Sequence, residues 1–144
     1  HEQKPSTLWL QGQSLVMLSL VLDEHREDAS CLSCHFNPME RQKLLRAKDL
    51  LLADLTQAPG VAELARESGL SVLKIKRGFR VLFNNSVYGL FQAERMQEAR
   101  RRLANGNTSV MTVAADLGYA NASHFSAAFQ KQFGVTPSTF KRVM

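Results

Sequence analysis

Two stretches of the chain share one pattern of apolar and polar positions. The equivalent pairs, separated by 49 or 50 residues, are Ala65 and Ala114, Gly69 and Gly118, Ile75 and Phe125, Phe79 and Phe129, and Phe83 and Phe133. In both copies the last three apolar residues are four positions apart, so they share one face of a helix and should pack inward. The pattern therefore predicts one helical unit that occurs twice.

In each copy a glycine separates two helical stretches. Gly69 and Gly118 can adopt the left-handed conformation that closes a tight turn without a steric penalty. Ser71 and Asn121, which follow them, can accept hydrogen bonds from the first amides of the next helix. Helix, glycine turn and helix is the helix-turn-helix pattern, in which the second helix enters the major groove of DNA.

A further helix is predicted before the first copy. Asn37 at the cap, Pro38 in the first position and Glu40 shortly after it are typical of a helix start. This helix is predicted to continue to about Leu55, before the break at 57–60. Its expected buried residues are Leu44, Leu45, Leu51, Leu52 and Leu55.

A single long helix, Val87 to Ala104, is predicted to connect the two copies and to end at Asn105-Gly106. Its 18 residues would span about 27 Å, close to the roughly 34 Å between successive major-groove faces once the flanking turns are added. We expect the arginines at 100–102 mainly to complement the dipole at its C-terminus. Contact between these arginines and the DNA backbone is the alternative.

The second copy is predicted to be bounded by short helices. Ser109 should cap a helix from Val110 to Leu117, and Gly134 should end the second recognition helix. Thr136 and the proline after it then open a closing helix to about Val143.

Residues 6–28 are predicted to form an N-terminal helix that is apolar around most of its circumference. It could pack on its own domain, or it could be the end of a missing regulatory domain or a homodimer interface; the second hypothesis explains the apolarity better. Because His1 stands where a start Met would be, we expect that an upstream portion precedes it.

Composition supports an all-α protein, because strand-like alternation is scarce and Leu, Ala, Arg, Glu and Gln are abundant. The predicted domains are 1–37, the end of the N-terminal region plus a linker, and 38–144, the DNA-binding domain. The latter comprises a first helix-turn-helix subdomain (38–86), the connecting helix (87–104) and a second subdomain (105–144).

The net charge of +5 is distributed unevenly. Residues 1–37 contain two basic and five acidic side chains, whereas residues 38–144 contain 16 basic and eight acidic ones. The excess of positive charge thus lies with the repeat, as binding to a polyanion requires. No apolar stretch is long enough to span a bilayer and no signal sequence is visible, so we expect no membrane association and a cytoplasmic location.

The linker contains two cysteines in the pattern Cys31-Leu32-Ser33-Cys34-His35, with His25 upstream. The pattern matches a c-type haem attachment site, which would require export to an oxidising compartment. Zinc binding by Cys31, Cys34, His35 and His25 is chemically easier, but adjacent Cys34 and His35 cannot easily reach one metal. A redox pair is a further option. Cysteines without a role are the leading interpretation, and we expect no cofactor.

Residues from about 38 to the end resemble the AraC/XylS family of bacterial transcription regulators. The resemblance is carried by 114–119, 123–129 and 133–137. Together with residues 73–79, these segments are similar to the branch that controls iron-siderophore uptake, including pyochelin and yersiniabactin regulators. The resemblance implies seven helices, two recognition helices in adjacent major-groove segments, and an N-terminal effector-binding and dimerising domain that is largely absent here.

The resemblance also implies DNA contacts. Expected base contacts are made by Leu73, Lys76 and Arg77 of the first recognition helix and by Ala122, Ser123 and Ser126 of the second. Arg77 could make a bidentate contact with guanine. Expected backbone contacts are made by Ser71, Lys74, Arg80, Asn121, His124 and Thr136. Many relatives have Arg where Ala127 stands, which favours the first subdomain as the main source of specificity.

The leading hypothesis is a sequence-specific DNA-binding transcription regulator, not an enzyme. It would act as an activator on double-stranded DNA with RNA polymerase as a partner, and would control iron-siderophore uptake or synthesis genes. One alternative is a metal- or redox-sensing regulator that uses Cys31 and Cys34. Another is a fragment of a DNA alkylation-repair protein, but such a domain needs four cysteines to hold zinc and the chain contains two.

Overall fold

The computed structural model describes residues 36–144, and Pro38–Met144 forms one compact unit. Every regular element in this part of the chain is an α-helix, as the sequence predicted. The helices are α1 (Pro38–Leu52), α2 (Val61–Ser68), α3 (Val72–Phe83), α4 (Val87–Ala104), α5 (Val110–Asp116), α6 (Ala122–Phe133) and α7 (Pro137–Val143). The predicted helix at 6–28 and the cysteine motif lie outside the described residues.

The first helix, α1, is shorter than predicted, because it ends at Leu52 rather than near Leu55. The carboxylate of Asp54 accepts hydrogen bonds from the backbone N–H of Thr56 at 2.8 Å and from its hydroxyl at 2.6 Å. These bonds lower the pKa of Asp54, the hydroxyl contributing most. A side chain that bonds two residues ahead favours a turn over continued helix, and it fixes the loop at Thr56.

Burial along α1 also differs in part from the prediction. Leu44 and Leu51 are fully buried, whereas Leu45 is 46% exposed and is not a core residue. Leu44, Ala47 and Leu51 form one stripe at helical spacing, and Leu45 lies one position off that stripe. Leu52 is half-buried, and Leu55 packs against the second subdomain's core.

The burial pattern confirms the internal repeat. Ala65 and Ala114 are buried in the short helices, and Phe83 and Phe133 are half-buried at the ends of the long ones. The central pairs are fully buried in both copies: Ile75 and Phe125, and Phe79 and Phe129. Each helix-turn-helix thus has its own apolar centre, and both centres rest on α4, whose buried stripe includes Phe91, Met96 and Leu103.

The two glycine turns have the predicted left-handed conformation, with φ of 67° at Gly69 and 77° at Gly118. Their surroundings differ. A Cβ at Gly69 would meet only the end of the Lys43 side chain, at 3.7 Å. A Cβ at Gly118 would lie 2.2 Å from the carbonyl oxygen of Thr56. Gly118 is therefore required for close approach of two backbones as well as for its torsion angle.

The C-terminal part of α4 contains a cluster of arginines bound to one carboxylate. Glu98 accepts hydrogen bonds from Arg101 at 2.6 Å and from Arg102 at 2.7 Å. The hydrogen bond from Arg101 is the main cause of the lowered Glu98 pKa, which is about 2. Arg100 lies over the rings of Phe133 and Phe140. These arginines therefore have structural partners within the fold.

Within residues 36–144, no helix has the length and apolarity needed to cross a membrane.

We predict that Gly118→Ala destabilises the protein more than Gly106→Ala does. Both glycines have positive φ, 77° and 76°, so both variants lose about 1–2 kcal/mol from backbone strain. Space is open around Gly106, whereas Gly118 lies against Thr56, which adds about 1–3 kcal/mol of overpacking. Urea unfolding measures both losses. Equal losses would show that the close approach of Gly118 to Thr56 does not affect the free energy of unfolding.

We also predict a pH-dependent contribution of Glu98 to stability. Because its folded pKa is depressed to about 2, its stabilisation is complete above the unfolded pKa of about 4.5 and is lost as pH falls toward 2. Glu98→Gln should lower the free energy of unfolding near pH 7 by up to about 1 kcal/mol, since the pairs are partly solvated. Urea midpoints at several pH values measure this difference. A difference that persists undiminished at pH 2 would contradict the assignment.

Candidate nucleic-acid interface

The first recognition helix, α3, is oriented by its cap and its buried face. The hydroxyl of Ser71 accepts a hydrogen bond from the backbone N–H of Lys74 at 3.3 Å, as predicted for a cap. Ile75 and Phe79 are fully buried against the first subdomain. The residues of α3 expected to contact DNA are all exposed: Leu73, Lys74, Lys76, Arg77 and Arg80.

A close helix contact holds the back of α3. A Cβ at Gly78 would lie 2.4 Å from Cδ1 of the fully buried Leu44, so α1 packs directly on the backbone of α3 at this position. Gly78 was not among the residues predicted from the sequence, although a glycine inside a helix is a known sign of close packing. The contact fixes α3 to α1 and leaves the opposite side of α3 facing outward.

Three basic side chains of α3 are free of carboxylate partners within the described part of the chain. No ion pair there involves Lys76, Arg77 or Arg80. The exposed Leu73, 64% accessible, stands beside them. A convex helix surface with unpaired cations and an exposed apolar residue can contact phosphates and base edges together.

Lys74 differs from these three residues because its ammonium group forms an ion pair with the carboxylate of Glu40 on α1. Both side chains remain partly exposed, at 53% and 24%. Lys74 is thus on the predicted surface but offers a phosphate less free charge than Arg80 does. Sequence spacing could not predict this pair, since its partners lie 34 residues apart.

The second recognition helix, α6, has no Asp, Glu, Lys or Arg from Ala122 to Gln130, and its one basic residue, Lys131, lies in the last turn. The side chain of Asn121 accepts a hydrogen bond from the backbone N–H of Ser123 at 2.7 Å, as predicted for a cap. Ser123, His124 and Ala127 are exposed. Ala122 and Ser126 were expected to face outward but are half-buried, because they flank the core stripe of Phe125 and Phe129. The exposed centre of α6 therefore lies at Ser123 and Ala127.

Thr136 caps α7 with its hydroxyl group. That oxygen accepts a hydrogen bond from the backbone N–H of Thr139 at 3.3 Å and lies 2.9 Å from the Thr139 hydroxyl. The residue is half-buried. The Thr136 side chain therefore caps α7. His124, another predicted backbone contact, is exposed on α6.

The guanidinium group of Arg95, in the middle of α4, joins the two helix-turn-helix units. Arg95 is 92% buried and donates from Nε to the carbonyl oxygen of Leu117 at 2.6 Å and from Nη2 to that of Thr56 at 3.1 Å. Its guanidinium carbon lies 4.1 Å from the centre of the Tyr119 ring. Thr56 belongs to the loop before α2, and Leu117 and Tyr119 belong to the turn before α6.

Arg95 was not among the residues predicted from the sequence, although its position in α4 carries a signal. Arg95 lies four residues after Phe91 and four before Ala99, so it falls on the buried stripe of α4. A charged residue at a buried helical position needs polar partners. The spacing of apolar residues alone could not show that those partners would be two backbone carbonyls from distant turns.

The chain is similar to known DNA-binding regulators. A family model described as a helix-turn-helix domain matches residues 64–142. Regulatory protein PchR of Pseudomonas aeruginosa is 34% identical over 111 residues, which are 72% of this chain and 35% of that protein. The chain spans about a third of the length of PchR and of other curated relatives that it matches.

Solved structures share the fold. A transcriptional regulator with an AraC-type DNA-binding domain from Chromobacterium violaceum gives a TM-score of 0.66 at 22% identity, covering 74% of this chain and 95% of that one. The DNA-binding domain of AdpA, solved in complex with a target DNA, gives 0.63 at 24% identity and covers 70% and 91%. With the family match over most of 38–144, these findings show that the chain belongs to the AraC family of helix-turn-helix transcription regulators.

Proposed function

We propose that this chain provides the DNA-binding part of a sequence-specific transcription regulator, and that α3 and α6 enter adjacent major-groove segments. The proposal rests mainly on the exposed surface of α3, where Lys76, Arg77 and Arg80 have no ion-pair partner among the described residues. The helix α6 occupies the equivalent position in the second unit but carries fewer charges. Both units pack on α4. The 18 residues of α4 span about 27 Å, near one turn of B-DNA. DNA contact by both helices on one face of the duplex is therefore sterically feasible.

The two helices have different tasks in this proposal. Leu73, Lys76 and Arg77 of α3 contact base edges, and Arg77 supplies a bidentate contact with guanine. Ser123 and Ala127 lie at the exposed centre of α6, with the half-buried Ala122 and Ser126 beside them, and make weaker base contacts. Backbone contacts are assigned to Ser71, Lys74, Arg80, Asn121, His124 and Thr136.

The proposal extends to the regulated genes and the partners. We assign the chain to control of iron-siderophore uptake or synthesis genes, because residues 73–79 and 114–137 resemble that branch, and the match to PchR supports the same assignment. It would act in the cytoplasm as an activator that contacts RNA polymerase. Residues 6–28 would contribute to a homodimer interface.

We predict that Arg77→Ala and Arg80→Ala affect DNA binding differently. Loss of a bidentate guanine contact should cost about 1–3 kcal/mol and relax discrimination at one base pair. Loss of a phosphate contact at Arg80 should weaken binding about equally on all sequences and reduce the slope of log K against log salt by about one. Selection from a random-sequence duplex pool, followed by salt titration on the recovered duplex, measures both effects.

The two variants are matched controls, since each removes one exposed arginine from the same helix. If Arg77→Ala lowered affinity equally on every sequence, Arg77 would be a phosphate contact and its assignment to a base would fail. If the wild-type chain recovered no motif, the proposed function itself would fail.

We further predict that Ala127→Arg tightens DNA binding. Ala127 is exposed at the centre of α6, which has no basic residue there, so a guanidinium group at this position gains at least one phosphate or base contact. The expected gain is roughly threefold to tenfold in affinity at about 0.15 M salt. Affinity that stays unchanged or falls would show that α6 does not approach the duplex at this residue. Ala62→Arg, on the exposed side of α2, controls for the added charge.

A further inference from the structure

Arg95 is a buried charge whose described partners are backbone carbonyls and aromatic rings instead of a carboxylate. Its Nε and Nη2 atoms both donate to the carbonyl oxygen of Leu117, and Nη2 also donates to that of Thr56. Leu117 is the C-cap of α5, so the guanidinium charge also faces the negative end of a helix dipole. Burial of this charge is thus compensated, but only while both turns stay in place.

The two turns approach each other closely at this point. The carbonyl oxygen of Thr56 is the atom that a Cβ at Gly118 would meet at 2.2 Å, and Nη2 of Arg95 would lie 2.9 Å from that same Cβ. Thr56 is held in turn by the carboxylate of Asp54. A loop of the first subdomain and the turn of the second therefore meet across one guanidinium group.

Aromatic rings connect Arg95 with the core of the second subdomain. The guanidinium carbon of Arg95 lies over the Tyr119 ring, 4.1 Å from its centre. The Tyr119 hydroxyl donates a hydrogen bond to the side-chain oxygen of Gln92 at 2.9 Å. Tyr119 also contacts Phe125, the first core residue of α6, in an edge-to-face arrangement at 5.4 Å. A shift of Arg95 would therefore move the start of α6.

We propose that Arg95 is a positioning residue that fixes the distance and angle between α3 and α6, and thereby the half-site spacing that the protein accepts. This inference rests on the proposed function, because it requires two helices that bind DNA together. Each recognition helix is held by buried residues in the core of its own subdomain. The motion that would change their spacing is therefore a rotation of one subdomain relative to the other. Arg95 restricts that rotation by bonding to both.

Arginine suits this task because its planar group donates in several fixed directions and stacks on rings at the same time. A lysine at 95 has a compact ammonium group that cannot donate to both carbonyls in the same plane and stack on Tyr119. Arg95→Lys should keep the charge and lose the fixed geometry. Arg95→Met should keep the apolar stem and lose both.

The experiment measures Kd for the chain on a duplex recovered from a random pool. The same duplex is then tested with one base pair added or removed between the half-sites, and with either half-site scrambled. Wild type should lose affinity about tenfold for each spacing change, roughly the loss of one good base contact. Arg95→Met should bind the optimal duplex about tenfold more weakly than wild type does. On the duplex that keeps only the α3 half-site, its Kd should lie within about twofold of the wild-type value. Its loss of affinity for each spacing change should be below about threefold.

Leu103→Ala is the control, since it opens a cavity in the core of the second subdomain without touching the guanidinium group. It should keep the wild-type spacing penalty. If Arg95→Met weakened all duplexes by one factor, Arg95 would only stabilise the fold and the inference would be overturned. If Arg95→Met did not fold, Arg95→Lys decides: an unchanged spacing penalty overturns the inference, and a reduced one supports it. A wild type that showed no preference for two half-sites would instead overturn the two-helix function.

Discussion

The arrangement of the DNA-binding surface depends on a buried guanidinium group. Arg95 is 8% exposed, and its Nε and Nη2 atoms donate to carbonyl oxygens from two turns that lie far apart in the chain. Burying a charge is costly unless hydrogen bonds and dipoles compensate for it, so both turns are needed where they are. Gly118 is part of the same constraint, because any side chain there would meet the Thr56 carbonyl. The relative placement of the two helix-turn-helix units follows from this contact and from the rigid helix between them.

The repeat is symmetrical in its core and asymmetrical on its surface. Ile75 and Phe125, and Phe79 and Phe129, are equally buried, so both recognition helices are supported in the same way. Their exposed faces differ, since α3 carries Lys76, Arg77 and Arg80 and α6 presents Ser123, His124 and Ala127. In the proposed function this unequal charge corresponds to different binding tasks: α3 supplies most of the attraction and specificity, and α6 sets the length of the site.

Much of the fold was predictable because it depends on local signals. Glycine at 69 and 118, the caps at Ser71, Asn121 and Thr136, and apolar residues four apart placed the helices to within a few residues. Some misses concern local signals that were misread, and others have nonlocal causes. Leu45 was expected in the core although it lies off the buried stripe, and α1 was expected to continue past the turn that Asp54 makes with Thr56. The pairing of Lys74 with Glu40 and the bonds of Arg95 join residues 22 to 39 positions apart, which spacing rules do not reach.

In the proposed function, α3 and α6 bind one face of a duplex about one helical turn apart. Hydroxyl-radical footprinting of the wild-type chain on the selected duplex tests it most directly, because the pattern reports backbone protection at single-nucleotide steps. This binding mode predicts two protected segments on the same face, with centres about 10 base pairs apart, the stronger one at the half-site contacted by α3. A single protected segment, or two segments on opposite faces of the duplex, would contradict it.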